Sequence, residues 1–92
     1  MQSPPPSDDA IKLLRVLRER AMDGYTLVSK VSLPKAQVLA GLRELMDFEL
    51  IRARGDVDLS SFGESYLSVP PDFQNRVDRL LESLRPYPKS SA

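Results

Sequence analysis

Lys30, Lys35, Gln37 and Arg43 fall within Gly24–Arg43, a stretch that holds no aspartate or glutamate, and Arg52 and Arg54 follow close behind. Side chains of these types do recognition rather than bond-making chemistry. Lysine and arginine neutralise phosphates, arginine and lysine suit the acceptor edge of guanine, and glutamine suits adenine. The competing reading is that all six are solvated surface groups, as most such side chains are. Glu44, Glu49, Asp56 and Asp58 stand near enough in the chain to dilute the positive charge.

Bond-making chemistry has few candidates. The 92 residues include no histidine and no cysteine. Disulfides, thiol catalysis, histidine acid–base work and the usual zinc ligand sets are therefore excluded. Asp8-Asp9 and Asp56-x-Asp58 are the close acid pairs. The first suits a helix start, and the second lacks the further converging ligands that a cation needs. Ser60-Ser61 has no neighbouring base, and no glycine loop is built to cradle a phosphate. We expect neither enzymatic activity, nor a metal, nor a cofactor.

Thirteen basic and thirteen acidic residues cancel, so any nucleic-acid face must come from local charge segregation. At 41% hydrophobic and 28% charged, the chain has the profile of one small soluble domain. No apolar run approaches the roughly 20 residues needed to cross a bilayer. MQSPPPSDDA has neither the basic nor the apolar region of a signal peptide. These absences lead to the expectation of a cytoplasmic protein with no membrane partner.

The elements that must position the candidate residues follow from periodicity. Residues 1–7, rich in proline, read as an extended tail. Ser7, Asp8 and Asp9 form a capped helix start, and Ala10, Leu13, Leu14, Leu17 and Ala21 then make one apolar face out to about Met22. Val16 points away from that face. Asp23-Gly24 is expected to end the helix, with Gly24 in the left-handed conformation. Thr26 would cap a two-turn second helix carrying Leu27, Val28 and Val31; the β-branched residues would equally suit a strand, and context favours the helix. Pro34 opens a third helix to about Asp47, with Ala36, Val38, Leu42 and Leu45 inward and Lys35, Gln37, Leu39, Ala40 and Arg43 outward. Gly41, in its middle, marks the close approach of a neighbouring helix.

Beyond the third helix, Leu50–Arg54 reads as a strand. Gly55-Asp56 makes a two-residue turn, and Val57–Leu59 is the returning strand. Ser60 would then cap a helical turn through Glu64 and Leu67. Pro70-Pro71-Asp72 starts a last helix ending at Pro86, with an apolar stripe of Phe73, Val77, Leu80, Leu81 and Leu84. This stripe either covers the domain's own core or pairs with its copy in a homodimer, since its spacing is close to a heptad seam. Residues 8–85 are thus expected to form the domain, with 86–92 as a loose tail.

Three pieces of sequence resemble a known family in their order: Leu33-Pro34-Lys35-Ala36-Gln37-Val38, then Leu42-Arg43-Glu44-Leu45 with Leu50-Ile51, then Leu59-Ser60 with Gly63. Together they are similar to the winged helix-turn-helix domains of bacterial transcription regulators. The resemblance covers about residues 8–67. It implies a mainly α fold with a short β-hairpin: a three-helix core, a wing and a C-terminal helix. It also implies double-stranded DNA as partner, with the third helix in the major groove and the wing on the backbone. On that reading Lys30, Arg52 and Arg54 contact phosphates, while Lys35, Gln37 and Arg43 reach base edges. The chain departs from the pattern at Glu49, where the family has glycine, and in its short wing. Leu39 and Ala40 stand where DNA-reading members carry serine and arginine. An apolar outward face at Leu39 suits a protein partner, so a winged-helix protein-interaction module without DNA is the alternative.

Overall fold

The computed structural model describes residues 5–84. The last helix ends at Ser83, short of the expected Pro86; the tail at 86–92 and the first four residues lie outside the described range. Helix α1 is Asp8–Glu19, strand β1 is Met22–Asp23, α2 is Gly24–Val31 and α3 is Lys35–Asp47. Strand β2, Arg52–Arg54, is followed by a short 3₁₀ turn at Phe62–Glu64, by β3 at Tyr66–Ser68 and by α4 at Pro71–Ser83. The architecture is α+β and winged-helix-like: helices packed on one another and on a small antiparallel sheet of order β1-β3-β2.

The start of α1 follows its capping chemistry. The Ser7 hydroxyl accepts from the Ala10 N–H at 3.2 Å, and Asp8 and Asp9 occupy the first turn, where negative charge complements the helix dipole. Within the stretch read as a tail, Pro6 is buried, and Ser7 donates to α3 through its N–H and its hydroxyl, each 2.8 Å from a Glu44 carboxylate oxygen. Ala10, Leu13, Leu14 and Leu17 are buried as expected. Val16 is half-buried against the core rather than turned away from it.

The junction after α1 differs from expectation. The helix ends at Glu19, and Met22-Asp23 is a strand, not a last helical turn. Asp23, not Thr26, caps α2, accepting from the Thr26 N–H at 2.8 Å. Gly24 is the first residue of α2 rather than a left-handed stop, and a side chain is excluded there by close approach. A Cβ would run into the Phe62 carbonyl oxygen and lie 2.8 Å from the Gly63 Cα. The Gly24 N–H donates to the Ser65 carbonyl at 3.0 Å, tying α2 to the segment that precedes β3.

Helices α1 and α3 form the central packing pair, and Gly41 lets them meet. A Cβ at Gly41 would sit 2.6 Å from Leu13 Cδ1 and 3.4 Å from the Ala10 Cα. Pro34 stands one place before α3, and Val38, Gly41, Leu42 and Leu45 face inward. Two assignments on this helix are corrected. Ala36 is exposed and Leu39 is in the core, 8% exposed. Ala36 shares the solvated stripe with Ala40 and Arg43, four and seven residues on, whereas Leu39 shares the face of Leu42, three residues on.

The wing is the largest correction. Gly55-Asp56 does not reverse the chain into a partner strand at Val57–Leu59. The returning strand is Tyr66–Ser68, with Arg52 opposite Ser68, Ala53 opposite Leu67 and Arg54 opposite Tyr66. The connection between them is held by Asp58, whose Oδ1 accepts from the Ser60 N–H, the Ser60 hydroxyl and the Ser61 N–H at 3.1, 2.9 and 2.9 Å. Those bonds hold the Asp58 carboxyl below its ordinary pKa, chiefly the one from the Ser60 hydroxyl. The segment assigned to a helix capped by Ser60 is therefore a 3₁₀ turn followed by a strand. Phe62 fills the core beneath it, fully buried. The third strand, β1, pairs on the far side of β3.

Helix α4 closes the structure against α1. Arg18 donates to Asp78 through two nitrogens, at 2.7 and 3.1 Å, and Val77 is fully buried.

Candidate nucleic-acid interface

Lys35, Ala36, Gln37, Ala40, Arg43, Met46 and Asp47 are the exposed positions of α3. Ala36, Gln37, Ala40 and Arg43 make a continuous outward stripe with alanines at its centre, so the helix backbone can approach a flat or concave partner closely. Lys30 stands exposed in the last turn of α2, and Lys35 begins α3 immediately after the turn. Ser32 makes that turn, in the left-handed conformation with φ 56°.

Arg43 links the stripe to the wing. Its Nη2 donates to the Val57 carbonyl at 3.3 Å, so the connection after β2 stands beside the outward face of α3. Arg52 and Arg54 are exposed on β2. As residues two apart on one strand they share a face, turned away from Ala53 and its buried partner Leu67. The polar positions picked out in the sequence are therefore divided. Lys35, Gln37 and Arg43 lie on the outward side of α3, and Arg52 and Arg54 lie on the outer face of the sheet; Lys30 stands apart from both on α2, lining a concavity with Val16, Glu19, Arg20 and Met22.

The candidate partner-interface residues divide differently. Val77 and Leu39 belong to the domain's own core and are not on its surface. Phe73, Leu80 and Leu81 are half-buried against that core, and Leu84 is half-buried at the end of α4. Exposed apolar groups among the described residues include Met46 in the last turn of α3, Phe48 just after it and Leu59 in the wing connection, 37%, 37% and 55% exposed, besides Tyr25 and Tyr66.

Tyr66 and Arg76 take part in this surface and are not among the residues that the sequence singles out. Tyr66, half exposed, lies directly opposite Arg54. The Phe73 ring carries two guanidinium groups, Arg52 at 5.1 Å and Arg76 at 5.3 Å from its centroid. The alternation of Tyr66, Leu67 and Ser68, out, in and out, was the available signal for the first. It was masked by reading Ser60 as a helix cap. Arg76 also donates to the Glu49 carbonyl at 2.8 Å and pairs with its carboxylate at 3.5 Å, fixing α4 to the turn after α3.

Among the described residues no group of histidine, cysteine, aspartate or glutamate could hold a metal ion, and no helix is long and apolar enough to cross a membrane. No protein-family model matches the chain, and a search of curated proteins finds no match. Among solved structures, the chain is similar to the circadian clock associated protein Pex from Anabaena. The TM-score is 0.58 at 20% identity, over 88% of this chain and 82% of that one. At that identity the likeness speaks for the fold alone. It agrees with the winged-helix-like α+β architecture described above.

Proposed function

We propose that this chain is a DNA-binding winged-helix regulator that works without catalysis or cofactor, with α3 in the major groove and the wing against the backbone. The observation that carries the reading is the outward stripe of α3. It is open to solvent, free of acids from Lys35 to Arg43, and flanked by the wing connection that Arg43 reaches. Gln37 is the side chain placed to read a base edge. Lys35 opens the same stripe, and Lys30, Arg43, Arg52 and Arg54 supply phosphate contacts. Ala36 and Ala40 lower the steric cost of close approach.

The test is titration of the full chain with a pool of random duplexes at low salt, read by fluorescence anisotropy. The cations Lys30, Lys35, Arg43, Arg52 and Arg54, at about −0.9 each, set a salt slope of about −4.5 per protomer if all meet phosphates. Gln37→Ala should relax sequence preference at one position, by about 1–3 kcal/mol, and Lys35→Ala should weaken binding. A chain that binds no duplex at low salt would overturn the proposal.

A second reading is favoured by one observation. Met46, Phe48 and Leu59 are exposed apolar side chains near the end of α3 and in the wing, which suits a protein partner. Leu39, buried in the core, takes no part in it. A homodimer through α4 would have to use Leu80, Leu81 and Leu84, since Val77 is occupied within the domain.

A further inference from the structure

The outer face of the sheet continues onto α4. In the β2–β3 ladder Arg54 lies opposite Tyr66 and Arg52 opposite Ser68, so all four side chains share one face. Together with Ala53 they line a shallow concavity. From Arg52 the surface passes to the Phe73 ring, across it to Arg76, and so to a second concavity that Arg76 lines with Asp72, Asn75 and Arg79. The result is a track of four arginines interleaved with two aromatic rings.

Its charges are available. Among the described residues no carboxylate lies within 4.0 Å of Arg52, Arg54 or Arg79, and the Arg76 pair with Glu49 is long, at 3.5 Å, with both side chains at least half exposed. Stacking on Phe73 holds the Arg52 and Arg76 guanidinium groups, which reduces the entropy lost when they bind an oxyanion. Tyr66 leaves half its surface open beside Arg54.

We propose that this track is a nucleic-acid surface separate from α3, and that it takes an unpaired strand. The arginines meet successive phosphates, for which the guanidinium fork is well shaped, and one base stacks on Tyr66. A duplex has its base faces already stacked and offers Tyr66 nothing to cover. An acidic peptide would satisfy the arginines without involving the ring. Asp72 in the second concavity and Glu49 beside Arg76 repel either kind of anion and offset part of the track's charge. This surface does not depend on the duplex reading of α3, which concerns different side chains except for Arg52 and Arg54.

The test uses the full chain with a fluorescein-labelled oligothymidylate at low salt, and in parallel a duplex of random sequence. The single strand should bind. Tyr66→Leu should weaken it by roughly 5- to 100-fold, while Tyr66→Phe retains binding. Arg79→Ala should reduce the magnitude of the salt slope by about 0.7, as expected for one phosphate contact on a single strand. Neither Tyr66→Leu nor Arg79→Ala should alter the duplex titration, and Gln37→Ala should not alter the single-strand titration. Absence of single-strand binding would overturn the proposal, whatever the duplex does. So would binding that survives Tyr66→Leu, or an oligoglutamate peptide that binds the same surface more tightly than the strand.

Discussion

Glu49 is held at φ 58°, in the left-handed region that costs an L residue roughly 1–2 kcal/mol. Its place is fixed from both sides: its N–H donates to the Met46 carbonyl, the Leu50 N–H donates to Leu45, and Arg76 donates to its carbonyl. Glu49 is therefore a strained residue, held in a left-handed turn that glycine would adopt without cost. Glu49→Gly and Glu49→Ala both lose the exposed pair with Arg76, so comparing them isolates the backbone. The glycine variant should be the more stable by about 1 kcal/mol in urea unfolding. Equal stability of the two would mean that the turn carries no strain. This residue was legible as a departure, but not its outcome, because local propensity does not show which carbonyls a distant arginine will hold. Leu39 and Ala36 teach the same lesson. Both are apolar, and only the angular position of the α1 contact, set by Gly41 and Leu13, decides which of the two is buried.

Helices α1, α3 and α4 were readable because each carries its own period and its own start signal; the start of α2 was not, since Asp23 rather than Thr26 caps it. Ser7 with two acids, Pro34, and Pro70-Pro71 stand where α1, α3 and α4 begin. Of the sheet, β2 was readable, within the expected strand Leu50–Arg54; β1 and β3 were not, because they are two or three residues long and Tyr66–Ser68 pairs with segments far away in the chain. A serine-rich connection rather than a tight turn precedes it. For the candidate site, Lys30, Lys35, Gln37 and Arg43 were found because charge on an acid-free stretch is visible locally. The Arg52–Phe73–Arg76 stack was hidden because it joins a strand to a helix. The α1–α4 attachment leads to a prediction at this scale. The Arg18 guanidinium, hydrogen-bonded to Asp78, holds the Asp78 carboxyl below its ordinary value. A lowered folded-state pKa means that this contribution is fully present above the ordinary carboxylate pKa, about 3.9, and is lost as pH falls through the lower folded value. Asp78→Asn should thus be less stable than the parent near neutrality, and the two should converge as pH falls below about 4. A gap that stays constant into acid would show that the pair is not the cause. Measuring unfolding midpoints across pH decides it.

At the scale of the whole molecule, a net charge of zero conceals a division of labour among surfaces. Basic groups lie on the outward side of α3 and along the sheet–α4 track, while Asp58 and Asp23 are spent on capping bonds, and Asp78 on the tie to Arg18. The sheet order β1-β3-β2 has a further consequence, for the route by which the chain folds. Helices α1 and α3 can dock early around Leu13 and Gly41. Met22 cannot meet Leu67 until nearly all of the chain between them has been laid down. Closing so long a loop carries an entropic cost that is recovered only when the last strand seats. Kinetic analysis of Leu42→Ala should give a φ-value above that of Leu67→Ala, with Leu67 at about 0–0.3. A Leu67 value near that of Leu42 would place the sheet in the nucleus instead. On the expected route the reverse passage begins where assembly ended. The face bearing Arg54 and Tyr66 comes apart first, while the paired helices that present Gln37 are still intact.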